Sequence, residues 1–534
     1  MTAATHAPSA AFAGKAALWA GLIWLVALGA LHLLTPPSPD SAIFDYMGWR
    51  VLAGDRLYVD VIEQNWPGAV WVHMLATALF GNTWWSFRLL DALLMLLASG
   101  ALFWLGGRSG LRGTGGLAAV LYPAMYLTSS PWMTGQRDAL VAHLLLFGSA
   151  IYLAVRGRWS GAAMAVYGLL CALAVMVRPT YLLFPALVVL LELGVLLAEK
   201  RPLRPFLQGA GVAAAAFGVS LALVAAHGSQ TGGLAGWWEA AIQYNLSVYS
   251  GSAGLSTYLG ALKWLFQSWH WYLAFGALGA MLWWRTGDRW VWALAMAFAL
   301  TCGVSFVVQG KGFGYHLVGL LPLLALFAGH LLAWAVHTLR ARPHRLLAGV
   351  AALLIVVALA GTARKLRSVS SHVSVLLGAQ PRSAQLAQSE FGFEGMNMAD
   401  LMQVADHLRA HTTVDDTVLV WNRGVWINYL SQRRMPVPFA TVGALAEFKD
   451  PSTGLARRWL DALHRGLDCS PPAYIVVGAE RGWADAGGTP AAMPESDRAV
   501  LTALQAGYRL DTRIGGAQLW QRTSPEVPAC PRQP

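Results

Sequence analysis

Charge is scarce in this chain. Asp, Glu, Lys and Arg supply 12% of its 534 residues, about half the share usual in a soluble globular domain. Apolar residues make up 56%, and the mean hydropathy is +0.48. That balance excludes a soluble globular protein and indicates a polytopic membrane protein. Cysteine is nearly absent, with four in all, and none has the spacing of a metal site. Cys171 and Cys302 lie in apolar runs and are expected to be packing residues. Cys469 and Cys530 lie in a polar C-terminal stretch, where an oxidising compartment would allow them to pair; the sequence leaves that open. No cleavable signal is evident. The first apolar run is followed by Thr35-Pro36-Pro37 instead of a small-residue cleavage site, so it reads as a retained helix. No internal repeat is visible, nor the paired broken helices of many transporters.

What is present is tryptophan and a surplus of positive charge. The 25 Trp suit many helix ends at membrane–water interfaces. The net charge of +11 does not indicate nucleic acid, because the basic residues sit in short loops between apolar runs. A bilayer span takes about 20 apolar residues. On that measure about eleven helices are expected, near 17–35, 86–106, 114–131, 138–156, 160–177, 180–198, 207–227, 267–284, 290–308, 316–338 and 346–363. A shorter apolar piece, Ala69 to Phe80, follows Pro67-Gly68 and reads as a helix lying at the membrane surface.

The loops alternate in charge. One set carries Arg108 and Arg112; Arg156 and Arg158; Lys200, Arg201 and Arg204; Arg285 and Arg289; Arg340, Arg342 and Arg345. These are expected to be cytoplasmic. The other set carries Asp40, Asp45, Asp55, Asp60 and Glu63, then Arg137 and Asp138, then the long loop 228–265, then Lys311. An odd number of helices places the N-terminus inside and the tail outside. After Gly361 charge and proline rise, and short β-like runs appear at Thr417–Trp421, Tyr474–Val477 and Gln518–Trp520, with a helical pattern from Asp400 to Ala410. The expected division is a membrane module over 1–363, including the outward loop 36–85, and a small extracytoplasmic α/β domain over 364–534.

The candidate chemistry lies in the outward segments. Ser38-Pro39-Asp40 opens a helix well, with Ser38 as N-cap, Pro39 in first position and an acid in the first turn. An acid held at the end of a membrane helix also suggests a site. Both explanations of Asp40 stand. Asp45 is five residues on, so the two acids do not share one helix face. Glu63-Gln64-Asn65-Trp66-Pro67 joins polar groups to an aromatic ring, a combination that suits a sugar, although Trp66 also suits an interfacial anchor. Gln136-Arg137-Asp138 starts a helix; Asp138 is either a simple cap or, with Arg137, part of a phosphate site. Arg178 reads as an interfacial snorkelling residue. In the Gly-rich segment from Lys311 to His316, Lys311 supplies a cation and His316 can bond or titrate.

These segments resemble the C-type (GT-C) membrane glycosyltransferases. The resemblance is closest to the branch with the protein O-mannosyltransferases and the aminoarabinose transferase of lipid A. It rests on Asp40 after the first helix, on Gly54-Asp55-Arg56-Leu57-Tyr58, and on Asn65-Trp66-Pro67-Gly68. Gln136-Arg137-Asp138, Arg178-Pro179, Lys311 with Tyr315-His316, and the terminal pattern from Tyr508 to Arg522 add to it. Ser41 departs from the family, where an acid often follows the first Asp. The resemblance implies an inverting transferase of a bacterial inner membrane that moves a sugar from a polyprenyl-phosphate donor to a glycolipid, polysaccharide or protein. Asp40 would be the catalytic base, Asp45 a sugar or acceptor contact, and Arg137, Lys311 and His316 contacts to the phosphate and donor. Glu63 and Asp138 would be further substrate contacts. No metal or other cofactor is obligatory, since the leaving group is already a stable phosphate monoester; a divalent cation is possible but not indicated. The alternatives are a flippase for lipid-linked glycans, which would place polar groups mid-membrane, and a polyprenyl-diphosphate-dependent ligase. Asp91 and Glu192 are the acids within the expected helices.

Overall fold

The computed structural model describes residues 10–249, 253–341, 344–393, 396–421, 424–448, 452–478 and 494–524. Its first part is helical. The helices are α1 (Ala10–Leu33), α2 (Pro39–Leu52), α3 (Pro67–Phe80), α4 (Ser86–Gly106), α5 (Thr114–Leu127), α6 (Arg137–Val155) and α7 (Gly161–Val177). They continue as α8 (Leu183–Ala198), α9 (Arg204–Gln230), α10 (Gly233–Trp237), α11 (Leu255–Thr286), α12 (Arg289–Val308), α13 (Leu321–Arg340) and α14 (Arg345–Leu366). All eleven expected spans coincide with helices. Among the described residues seven helical stretches are both long and apolar enough to cross a membrane, so the chain is a multi-pass membrane protein. The other expected spans fall on the shorter apolar stretch Leu18–Leu33 of α1, on the shorter apolar helices α5 and α7, and on α11.

Small residues let these helices close on one another. A Cβ on Gly168 would collide with the carbonyl oxygen of Ala213 on α9, and one on Gly329 would stand 2.7 Å from the Ala118 nitrogen on α5. Such contacts drive association where lipid offers no hydrophobic incentive. The acids inside the helices are paired. Glu192 accepts from Tyr152 Oη at 2.7 Å and from Arg156 Nε at 2.8 Å. Asp91 accepts from His32 and Tyr126. At one end of the bundle Arg108 pairs with Asp288. At the other end lie the starts of α2, α6 and α13, together with the tail.

The segment 228–265, expected as a loop, is instead helical. α9 runs on to Gln230, a π-helix spans Trp238–Tyr249, and α11 begins at Leu255. Packing on the tail explains the order. Tyr244 stacks on Trp459 at 4.9 Å, and Glu239 accepts from Trp459 Nε1 at 2.7 Å. α11 bends at Trp269, whose φ and ψ of −122° and 19° are not helical.

The tail carries α15 (Ser370–Leu376), α16 (Arg382–Ala387), a hairpin of β1 (Glu390–Phe393) and β2 (Met396–Asn397), and α17 (Met398–His411). Then follow β3 (Val418–Val420), α18 (Trp426–Ser431), α19 (Gly454–Cys469), β4 (Tyr474–Gly478), α20 (Glu495–Gly507), β5 (Tyr508–Ile514) and β6 (Ala517–Arg522). The sheet order is β3-β4-β6-β5, with β3 and β4 parallel and the rest antiparallel. The three expected β-like runs are β3, β4 and β6. Every residue of β3 and β4 is buried, as in a strand covered on both faces. One hydrophobic core joins this tail to α2, α3 and the π-helix through Tyr46, Met47, Val61, Val70 and Tyr244. Cys171 and Cys302 are free and buried, Cys469 is disulfide-bonded, and Cys530 lies outside the described residues.

Candidate functional site

The start of α2 has the geometry the sequence suggested. Ser38 is the N-cap and its Oγ accepts from the Ser41 nitrogen at 3.2 Å; Pro39 takes the first position and Asp40 the first turn. Asp40 is half-buried and makes no hydrogen bond or ion pair among the described residues. α6 begins at Arg137, directly after Gln136, whose side-chain amide is buried with neither polar atom satisfied. The Arg137 guanidinium lies 5.7 Å from the centre of the Phe44 ring, and its Nε is buried without a partner. Asp40, Glu63, Arg178 and Tyr315 are the charged and polar groups whose fields act on Arg137. The unpaired Asp40 carboxylate and the unpaired Arg137 guanidinium thus lie within reach of each other's field without forming an ion pair.

The surrounding residues hold this pair in place. Asp138 is fully buried and accepts from Arg178 Nε and Nη2; Tyr181 Oη also donates to it at 3.1 Å. Arg178 is 7% exposed. It is thus locked into an ion pair and does not snorkel to the interface, because a buried acid from α6 meets it as α7 ends. Asp138 likewise is no surface cap. Gly68 permits the neighbouring packing: a Cβ there would stand 2.5 Å from the Met176 carbon and Val177 nitrogen. Glu63 is buried and accepts from the Asn65 backbone and side-chain nitrogens, both at 2.6 Å. Burial pushes its carboxyl above the usual range, and the nearby Arg137 charge opposes that rise. His316 is buried beside Tyr315, ring centres 4.5 Å apart, with Nδ1 unsatisfied and the Asp138, Arg178 and Arg137 charges acting on it. Lys311 donates to the Tyr249 carbonyl and lies 3.3 Å from the centre of the Tyr249 ring.

Asp45 is elsewhere. It is buried and its carboxylate meets His73 Nδ1 at 2.7 Å, while His73 stacks on Phe87 at 3.7 Å. Five helical positions separate it from Asp40, so the two acids face different surroundings. Reasoning from sequence also missed Arg178, Tyr249 and Tyr315 as partners of the cluster. Among the described residues no three His, Cys, Asp or Glu side chains gather as a metal site. A cavity of about 420 Å³ opens beside Tyr315, lined also by Ser130, Trp132, Met133, Trp264 and Phe313. A second, of about 520 Å³, is bounded by Tyr58, Trp66, Pro67, Met176 and Trp237.

No protein-family model and no curated protein sequence matches the chain. Solved structures do resemble it. ArnT from Cupriavidus metallidurans bound to undecaprenyl phosphate superposes with a TM-score of 0.58 at 17% identity, over 98% of this chain and 100% of ArnT. The apo state of the same protein gives 0.59 at 14% identity, over 95% and 98%. The oligosaccharyltransferase AglB from Archaeoglobus fulgidus, in complex with an inhibitory peptide and a dolichol-phosphate, gives 0.50 at 12% identity, over 95% of this chain and 75% of AglB. The chain therefore shares the fold of ArnT along nearly its whole length.

Proposed function

We propose that the chain is an inverting membrane glycosyltransferase that moves a sugar from a polyprenyl-phosphate carrier to an acceptor hydroxyl at the outer face of a bacterial inner membrane. The observation that carries this reading is an unpaired Asp40 carboxylate within the field of an unpaired Arg137 guanidinium, in a fold shared with a protein crystallised with undecaprenyl phosphate. Asp40 takes the proton from the acceptor hydroxyl. The acceptor oxygen bonds to the anomeric carbon as the bond from that carbon to the phosphate oxygen breaks. The electron pair of the broken bond stays on the phosphate, and the sugar passes through an oxocarbenium-like state. Arg137 meets the charge that develops on the departing phosphate, with Lys311 and His316 nearby. Asp138 serves by holding Arg178, and Glu63 faces the sugar. The apolar linings of the two cavities suit an isoprenoid or acyl chain.

The test is Asp40→Asn in the full chain, expressed in cells that lack the native copy. Mass spectrometry of polyprenyl-phosphate sugars and envelope glycans follows the transfer. Transfer should fall about 10²–10⁴-fold, the contribution of a general base, at unchanged protein level and melting temperature. Wild-type glycans in that strain would remove Asp40 as the base. A flippase reading expects polar groups placed mid-membrane for cargo, whereas Asp91 and Glu192 are each bound by His, Tyr or Arg.

A further inference from the structure

Arg88 lies in the first turn of α4 and is fully buried. An arginine so placed is expensive unless it has work to do. Its Nη2 donates to the Pro36 carbonyl. Its Nη1 donates to the Thr134 carbonyl and to Thr134 Oγ1, both at 3.0 Å. Pro36 stands four residues before Asp40, and Thr134 three residues before Arg137. The links are short and stiff: Pro37 and Pro39 fix the first, and α6 starts directly after the second. Asp91, 3.5 Å from Nη1, balances the charge. Asp91 is itself held by His32 Nε2 at 2.7 Å and by Tyr126 Oη at 2.9 Å, and Tyr126 Oη accepts from the Gly135 nitrogen. Gly135 has φ +74°, and a Cβ there would strike the Phe87 ring and stand 3.2 Å from Nη1.

We propose that Arg88, balanced by Asp91, is a positioning residue that sets the separation of Asp40 from Arg137 by clamping the lead-in of each helix. This rests on the transferase reading above. Arg88 touches neither Asp40 nor Arg137, so it acts through the backbone. A misplacement of about 1 Å can cost on the order of 100-fold in rate, while each half of the site keeps its own local contacts.

The experiment compares the full chain with Arg88→Met, Arg88→Lys and Thr134→Val. It has three readouts: transfer kinetics, binding of undecaprenyl phosphate, and, in separately labelled chains, spin-label distances between Leu52→Cys and Pro131→Cys. Arg88→Met should lower kcat about 100-fold, change undecaprenyl phosphate affinity less than about threefold, and broaden the distance distribution. Arg88→Lys, which keeps the charge but reaches fewer carbonyls, should recover part of kcat and a narrower distribution. Thr134→Val should fall between Arg88→Lys and the native chain. An unchanged distribution in Arg88→Met overturns the clamp whatever the activity. Turnover, binding and melting temperature falling in parallel, with no rescue by Lys, also overturns it and leaves Arg88 a structural residue. A broadened distribution in a chain whose unsubstituted form transfers no sugar supports the clamp and counts against the transferase reading alone.

Discussion

Asp40 and Arg137 stand out among the charged side chains by what they leave untouched. Almost every other buried charge has a partner: Asp138 with Arg178, Asp45 with His73, Glu192 with Arg156. A carboxylate and a guanidinium that are each half-buried and unpaired are costly to keep, and on the proposed reading a substrate that brings a hydroxyl and a phosphate relieves both. Lys311 belongs to the same argument. Its ammonium lies over the Tyr249 ring, and Tyr249 is within reach of the Arg137, Asp40 and Glu63 charges. Lys311→Ala should weaken undecaprenyl phosphate binding about tenfold, roughly 1.4 kcal/mol, as read by calorimetry on the purified protein. Unaltered affinity would take Lys311 out of the phosphate site. The cap at Asp40 was legible in Ser38 and Pro39 because capping is local chemistry. The Asp138–Arg178 pair was not, because 40 residues separate its members and each alone reads as an ordinary helix-end charge.

α2 and α3 work as one unit. Each has a glycine where the backbones close: Gly48 against Met74, Gly68 against Met176 and Val177. Asp45 and His73 tie the two helices, and Phe87 of α4 stacks on the histidine. The unit thus presents Asp40 at one end and abuts the Arg178 segment with the other. Gly68→Ala should push α3 off α7, cost about 1–3 kcal/mol as overpacking does, and lower turnover more than Tm alone predicts. A thermal melt paired with a transfer assay checks this; normal turnover would mean the α3–α7 contact does not set the site. Apolar length and period made the long helices readable from the chain. The π-helix at Trp238–Tyr249 was not readable, since its order comes from Trp459 and Arg458, over 200 residues away. The hairpin of β1 and β2 gave no alternating signal long enough to notice.

Across the whole molecule, the boundary near residue 364 marks a change in composition but not in packing. Tyr46, Met47, Val61, Val70 and Tyr244 are buried in the core they share with the tail. Each such side chain is worth roughly 1.5–3 kcal/mol, so together they rival the whole stability of a domain, about 5–15 kcal/mol. A chain ending at Leu366 should therefore lose its cooperative melt and its transfer activity; size-exclusion profiles and melting curves would show this, and an intact, active truncation would contradict it. Composition could predict that a tail exists, but not that it completes the first loop, because nothing local in 36–85 names its partner. The ties are concrete. Ile62, the residue before Glu63, pairs with Phe439, its nitrogen donating to the Pro438 carbonyl at 2.6 Å. Met435 donates to Tyr46 Oη, 389 residues away. At about 5–20 residues per second, a ribosome takes roughly 20–80 s to travel that distance. For that interval the membrane helices are made and the acids of the first loop wait without their support. On the proposed reading, a chain whose Met435 segment has not yet been made has no finished site with which to meet lipid-linked sugar, and the arrival of that segment sets when it can begin.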